Sequence, residues 1–222
     1  VLFVVSTPIG HLEDITLRAL HTLRQVELIL CEDTRTTKKL LRKYDIHTPT
    51  QSYHAFNEHR LLPTILQRLQ SGERIALVTD AGTPAVSDPG YLLLRACIEH
   101  DIPVEIVPGP SAFVVALLLS GFPPQPFHFE GFLPRRKGRK KRLEYLAQVP
   151  HTIVLYESPH RLYKCLAELL QYFGPDRHAA ICRELTKVHQ QVIRNSLQAL
   201  YEIVGRGDMP VKGEITLVIA PK

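Results

Sequence analysis

Residues 74–91 read RIALVTDAGTPAVSDPGY, a short aliphatic run that breaks into a turn rich in glycine and proline. Arg74–Thr79 has the length and apolar density of a strand buried on both faces of a parallel sheet. The same design recurs outward from it. Val1–Ser6 runs into Thr7-Pro8-Ile9-Gly10, Val26–Cys31 into Glu32-Asp33-Thr34-Arg35, and Val104–Val107 into Pro108-Gly109-Pro110-Ser111. In the second half, Thr152–Tyr156 leads into Glu157-Ser158-Pro159-His160-Arg161 and Ala179–Cys182 into Arg183-Glu184-Leu185-Thr186-Lys187; Glu214–Ala220 is a seventh strand.

Amphipathic segments separate these strands. Asp14 is expected to cap a helix over Ile15–Arg24, and Thr34 one that runs through Lys43. Pro89 lies near the first turn of a helix that reaches His100, and Pro159 opens Arg161–Tyr172, which stops at Gly174-Pro175. Strand and helix in alternation predict an α/β fold with a largely parallel sheet in the first half. Ser120–Pro126, with Gly121 and three prolines, reads as a linker, so the expected domains are residues 1–120 and 121–222. In open α/β sheets ligands bind at the carboxyl ends of the strands, where loops and helix N-termini converge. Six such loops on one edge mark the candidate site. For any single loop, proline and glycine can equally mark a turn and nothing more.

Several chemistries are excluded by motif. The chain has no GxxxxGK[ST] phosphate loop, no GxGxxG after the first strand, no HExxH and no GxSxG. Its four cysteines, Cys31, Cys97, Cys165 and Cys182, stand far apart, as reduced buried thiols of a cytoplasmic protein do. His54 and His59 lack the spacing of a metal pair on one helix face, so no metal is expected. The longest apolar run, Ala112–Leu119, is far short of the ~20 residues that span a bilayer, so no membrane partner is expected. What the loops offer is backbone polar groups opened by Gly and Pro, with carboxylates at Glu32, Asp33, Asp80, Asp88, Glu157 and Glu184. That array suits a polar organic cofactor better than a polyphosphate.

Eight motifs follow one another in order: STPIGxLEDITxRAL from Ser6, EDTR from Glu32, TDAGTPxxSDPGY from Thr79, PGPSA from Pro108, EGFLPR from Glu130, YESPHRL from Tyr156, RELTK from Arg183 and KGEI from Lys212. Together they resemble the bacterial small-subunit ribosomal RNA cytidine 2′-O-methyltransferase I family of the tetrapyrrole methylase superfamily, over essentially the whole chain. The resemblance implies a two-domain class III methyltransferase with S-adenosylmethionine in the cleft between the domains, usually as a homodimer. It implies methylation of a ribose 2′-hydroxyl in small-subunit ribosomal RNA. Carried over by position, it implies cofactor contacts at Pro8, Asp80, Ala81, Gly82, Thr83, Ser111, Ala112, Tyr156, Glu184, Leu185 and Gly213. Where the family usually reads PIGN, this chain has His11, so the turn is kept without the amide. Many members also continue into a small C-terminal domain, whereas this chain stops at Pro221-Lys222, as a trimmed or core-only form would. A methylase of a tetrapyrrole or a protein residue, and a non-catalytic RNA-binding assembly factor, are the competing readings.

Residue chemistry agrees with the cofactor positions. Asp80 can accept hydrogen bonds from a hydroxyl or ammonium, Gly82 permits close backbone approach, and Ser111 can offer both N–H and hydroxyl at a helix start. Methylating a neutral hydroxyl also calls for a base. Glu32 and Asp33 are the favoured pair, with Asp80, Glu157 and Glu184 on the same edge. A helix start with locally paired carboxylates is the structural alternative for Glu32–Arg35.

The basic residues are concentrated. Arg35, Lys38, Lys39, Arg42 and Lys43 recur at the spacing of one helix face. Arg135, Arg136, Lys137, Arg139, Lys140, Lys141 and Arg142 form a second cluster, broken only by Gly138. Both suit RNA phosphates, and Arg161 is a further phosphate candidate. The chain carries 27 Lys+Arg against 22 Asp+Glu; without residues 135–142 its charge is −2 rather than +5. The chain is a mildly acidic body with two basic features.

Overall fold

Successive residues of a strand point to opposite faces, and the aliphatic segments of the first half divide their side chains between two cores accordingly. The computed structural model describes residues 1–222, in two units, Val1–Ser111 and Ala112–Lys222. In the first, β1 (Leu2–Val5), β2 (Leu28–Cys31), β3 (Thr50–Ser52), β4 (Ile75–Leu77) and β5 (Val104–Val107) pair in the order β3-β2-β4-β1-β5. Every pairing is parallel. Leu2, Val4, Leu28, Leu30, Ile75 and Leu77 face α3 (Glu58–Gln70) and α4 (Tyr91–Glu99). Val5, Ile29, Cys31, Ala76 and Val78 face α1 (Leu17–Gln25) and α2 (Thr34–Lys43).

In the second unit, β6 (Phe127–Phe132), β7 (Thr152–Glu157), β8 (His178–Arg183), β9 (Gln191–Ser196) and β10 (Ile215–Ile219) are ordered β6-β7-β10-β8-β9. β6 and β7 are parallel, and the other pairs are antiparallel. Because β10 opposes both β7 and β8, the carboxyl ends of those two strands share an edge with the start of β10. Ile153, Leu155, Ile181 and Leu217 form a core with α6 (Arg139–Leu146), α7 (Leu162–Phe173) and α8 (Leu197–Arg206). The opposite face is covered by α5 (Ala112–Ser120), whose Ala116 carbonyl lies 3.9 Å from the Cys182 thiol.

All seven strands read from the sequence are present, and the three that were not, β3, β6 and β9, all lie at sheet edges. An edge strand is partly solvated, so its apolar signal is weak, and β6 begins immediately after the expected linker. Three helix starts differ from expectation. Leu12–Asp14 closes into a 3₁₀ turn, so Thr16 rather than Asp14 caps α1, its hydroxyl accepting from Ala19 N at 3.1 Å. Asp33 rather than Thr34 caps α2, accepting from Arg35 N at 2.8 Å; a carboxylate there also complements the helix dipole. Pro159–Arg161 forms a separate 3₁₀ turn before α7. The two units divide at Ser111/Ala112, whereas the expected boundary at 120/121 falls after α5. That helix is apolar around its whole circumference, so no stripe in its sequence says which sheet it covers. No helix is long and apolar enough to cross a membrane.

Two glycines separate backbone strain from packing. Gly90 precedes α4 at φ +119°, and a Cβ there would come within 2.5 Å of the buried Leu77 Cδ2; Gly72, at φ +96°, has nothing near. Gly72→Ala is expected to cost about 1–2 kcal/mol from backbone strain alone. Gly90→Ala should cost about 1–3 kcal/mol more from overpacking. Urea unfolding measures both, and equal losses would remove Leu77 from the explanation.

Candidate functional site

The parallel sheet brings the loops after β1, β2, β4 and β5 to one edge, where short polar side chains and backbone join them. Thr7 N donates to Gly82 O at 2.8 Å and Gly82 N to Thr7 O at 3.1 Å, pairing the Pro8 loop with the Asp80–Thr83 turn. Thr7 Oγ1 donates to Thr79 O, and the Ser6 and Thr83 hydroxyls share a hydrogen bond, both at 3.0 Å. Gly82 has φ +90°, which favours glycine, and a Cβ on Gly109 would come 2.9 Å from Ser6 Cβ. Ser6, Thr7 and Thr79 were not singled out from sequence, although hydroxyl residues recurring at strand ends were a visible signal. His11 takes over a local role: its Nδ1 accepts from Glu13 N at 3.3 Å and caps the 3₁₀ turn. Ser111 ends the first unit, and Ala112 opens α5.

Three carboxylates meet on this edge in different states. Asp33 is engaged by the Arg35 guanidinium and by Arg35 N, which hold its carboxyl at about 2. Its neighbour Glu32 is half-buried, and burial, reinforced by the charge of Asp80, pushes its carboxyl above the usual range. Thr79 Oγ1 donates to Glu32 at 3.5 Å. Asp80 Oδ1 accepts from Asp33 N at 3.1 Å. The Asp80 residue is solvent-exposed, yet protein crowds one side of its carboxyl and raises it against the pull of that hydrogen bond. Of the pair favoured from sequence, Asp33 is occupied as a cap and ion-pair partner, and Glu32 is the carboxylate suited to taking a proton.

The remaining two of the six loops belong to the second sheet, so the single edge expected from sequence is two edges, four loops on one and two on the other. On the second, Glu184 N donates to Glu214 O and Glu214 N to Glu184 Oε1, both at 2.9 Å. Gly213 has φ +84°, and a Cβ there would overlap the Glu184 carboxylate. Burial raises the Glu184 carboxyl, but the Lys187 ammonium at 2.8 Å and the Glu214 N–H outweigh it and hold it low. Leu185 is buried beside it. Tyr156, at the end of β7, has Phe129 and Phe132 rings at 5.2 and 5.5 Å. Glu157 is fully buried; it lies 2.9 Å from Arg161 and 3.7 Å from Arg139 and accepts from Ser158 N at 2.7 Å. That engagement removes it as a base.

Burial also divides the basic residues. On α2 the buried side is Thr37, Leu40 and Leu41, so Arg35, Lys38, Lys39, Arg42 and Lys43 all face solvent, Arg35 paired with Asp33 and Lys43 with Glu13. A cavity of about 430 Å³ beside them is lined in part by Lys38 and Arg42. In the second cluster two of the seven residues expected to meet RNA phosphates turn inward instead. Arg139 is 8% exposed and points inward, with its guanidinium 2.7 Å from Glu168 and donating to Pro134 O. Arg142 is half-buried, held by two bonds to the buried Glu130 at 2.5 and 2.6 Å and stacked on Tyr145. Arg161, paired with Glu157, is likewise structural. Buried carboxylates require cations, and one turn of α6 turns residues 139 and 142 toward them. Arg135, Arg136, Lys137, Lys140 and Lys141 stay exposed, with only Lys140 near a carboxylate, Glu144 at 3.8 Å.

Two α/β units, one wholly parallel and one mixed, with glycine-rich loops at strand ends, are the architecture of the class III methyltransferases. The sequence profile of the tetrapyrrole (corrin/porphyrin) methylases matches residues 1–201, and the chain belongs to that family. Solved structures agree on the fold. Diphthine synthase superposes with a TM-score of 0.78 at 14% identity, over 99% of this chain and 89% of that one. The uroporphyrin-III C-methyl transferase of Thermus thermophilus, complexed with S-adenosyl homocysteine, gives 0.68 at 19% identity, over 99% and 96%. Within the family, the chain is 47% identical over 222 residues to the ribosomal RNA small subunit methyltransferase I of Thermotoga maritima, covering 100% of this chain and 98% of the relative. It belongs to the ribosomal RNA small subunit methyltransferase I family, as its motifs implied.

The two classes of arginine should separate in stability. Arg139→Ala leaves Glu168 and Glu157 without their shared cation and is expected to cost about 3–5 kcal/mol. Arg136→Ala, at an exposed position, should stay within about 0.5 kcal/mol. Similar urea midpoints for the two variants would refute the assignment of Arg139 as an internal tie.

Proposed function

We propose that this chain transfers a methyl group from S-adenosylmethionine to the ribose 2′-hydroxyl of a cytidine in small-subunit ribosomal RNA. The observation that carries this reading is full-length similarity, at 47% identity, to a relative that bears the ribosomal RNA small subunit methyltransferase name. The donor set fits the cofactor. Asp80 has one oxygen engaged by Asp33 N and another left to accept from hydroxyls, and Gly82 keeps side-chain bulk away from the same turn. When bound, the cofactor supplies an electrophilic methyl group on a sulfonium sulfur. On the first edge Pro8, Asp80, Ala81, Gly82, Thr83 and Ser111 would hold it; in the second unit Ala112, Tyr156, Glu184, Leu185 and Gly213 would. The side chain and backbone of Glu184 are tied to Lys187 and Glu214, so its part is to shape the Gly213 turn.

Alignment of hydroxyl and methyl carbon is the main task in such a displacement. Glu32 accepts the hydroxyl proton: unlike Asp33 it is neither a helix cap nor in an ion pair, Asp80 is given to the cofactor, and the raised affinity of Glu32 for protons suits that step. Lys38, Lys39, Arg42 and Lys43 on α2, with Arg135, Arg136, Lys137, Lys140 and Lys141, bind phosphates of the RNA. On the same family reading the enzyme works as a homodimer in the cytoplasm, where ribosomal subunits are.

Three measurements test this. Tritiated methyl transfer to undermethylated small subunits should label ribosomal RNA at an alkali-resistant 2′-oxygen, and Asp80→Ala should abolish cofactor binding by calorimetry; unchanged affinity would sink the Asp80 assignment. Replacing the five exposed residues of 135–141 by glutamine should flatten the dependence of log affinity on log salt by about 0.7 per lost phosphate contact. Cofactor affinity should stay as it was. An unchanged slope would take the RNA role from that cluster.

A further inference from the structure

β3, β2 and β4 are neighbours in the parallel sheet, so the residues just past their carboxyl ends, His54, Glu32 and Asp80, share an edge. The pairing of β2 with β3 continues beyond the strands: Tyr53 N donates to Cys31 O at 2.8 Å, and Ser52 Oγ to Glu32 O at 3.3 Å. Asn57 then locks His54. Its Oδ1 accepts from His54 N at 2.8 Å, its Nδ2 donates to Ser52 O at 3.1 Å, and its own N–H donates to His54 O at 2.9 Å. All of this bracing uses the His54 backbone. The half-buried imidazole has no such partner, and its Nδ1 is buried without a hydrogen bond. Buried polar atoms are rarely left so in a folded chain. The charged groups on the elements of this edge are Glu32 and Asp80 past β2 and β4, Asp33 at the start of α2 and Glu58 at the start of α3, whose backbone N donates to His54 O at 2.9 Å. The imidazole is near enough to Glu32 for its presence to favour the Glu32 carboxylate.

We propose that His54 is a positioning residue that acts through Glu32, taking from it the proton that the acceptor hydroxyl gives up. This rests on the methyl-transfer reading above. The hydroxyl O–H bond breaks toward a Glu32 oxygen while the hydroxyl oxygen forms its bond to the methyl carbon, and the carbon–sulfur electron pair returns to the sulfur of the sulfonium donor. The proton then passes to the imidazole, restoring the Glu32 carboxylate, and leaves to water before the next turnover. No other reagent is required. The sequence hid this role, because His54 is followed by a helix start and precedes no motif.

The test compares the full-length parent with His54→Gln, Glu32→Gln and, as a control, the exposed His59→Gln. In the cofactor-free protein, carbon-13 NMR follows the Glu32 carboxyl. A protonated imidazole favours the carboxylate, so its removal in His54→Gln should move the Glu32 midpoint upward, whereas His59→Gln should not. With cofactor and undermethylated small subunits, His54→Gln should lower kcat/KM by about 10²–10⁴-fold with unchanged cofactor affinity, and its rate should keep rising with pH where the parent levels off. Glu32→Gln should lose activity as well, and a second His54 substitution in that background should add little. A Glu32 midpoint that stays in place, or a His54→Gln profile matching the parent, overturns the relay. Failure of the parent to label small subunits overturns the methyl-transfer reading instead.

Discussion

Thr7 and Gly82 exchange backbone hydrogen bonds at 2.8 and 3.1 Å, and the geometry of the first unit's edge depends on that bridge. It joins the loop after β1 to the turn after β4, which are adjacent strands of one parallel sheet. Once those two loops are paired, Ser6 and Thr83 can share a hydroxyl hydrogen bond, and Gly109 must lack a side chain because Ser6 occupies the space. Asp80 then sits beyond the bridge with Asp33 N on one oxygen. The hydroxyl residues and glycines of the edge therefore serve rigidity, and leave the carboxylates to face what binds.

Three neighbouring carboxylates on that edge do different work because their surroundings differ. Arg35 holds Asp33 ionised at the cap of α2, while burial and the charge of Asp80 push Glu32 toward protonation. The basic residues divide by the same logic. Exposed ones on α2 and between 135 and 141 keep their charge at the surface, although Arg35, Lys43 and Lys140 each stand near a carboxylate. Arg139, Arg142 and Arg161 instead neutralise the half-buried Glu168 and the buried carboxylates of Glu130 and Glu157, and hold α6 and the loop around Pro159 to the second sheet.

Much of this was legible in the residues. The aliphatic run ending in Asp-Ala-Gly-Thr-Pro marks an interior strand, since burial on both faces demands such a run and the turn demands such residues; β5, at the sheet edge before Pro-Gly-Pro-Ser, was read from its β-branched residues. The edge strands β3, β6 and β9 escaped because half-solvated strands need no apolar pattern. The apolar periodicity of α5 could not reveal its partner sheet, because the helix is apolar all round.

By itself the sequence determined the family, the alternation of strands and helices, the residues that end the strands and the two concentrations of basic charge. Only the tertiary structure decided which of those charges remain free. Seven basic residues within residues 135–142 look alike in a row, but one helical turn sends Arg139 and Arg142 inward to carboxylates on α7 and β6. It likewise decided that Asp33 is a cap, that Glu157 is an internal tie, and that His54 and Glu32 share a sheet edge. Each depends on a neighbour brought close by sheet order, and strand order is set by packing among segments far apart along the chain.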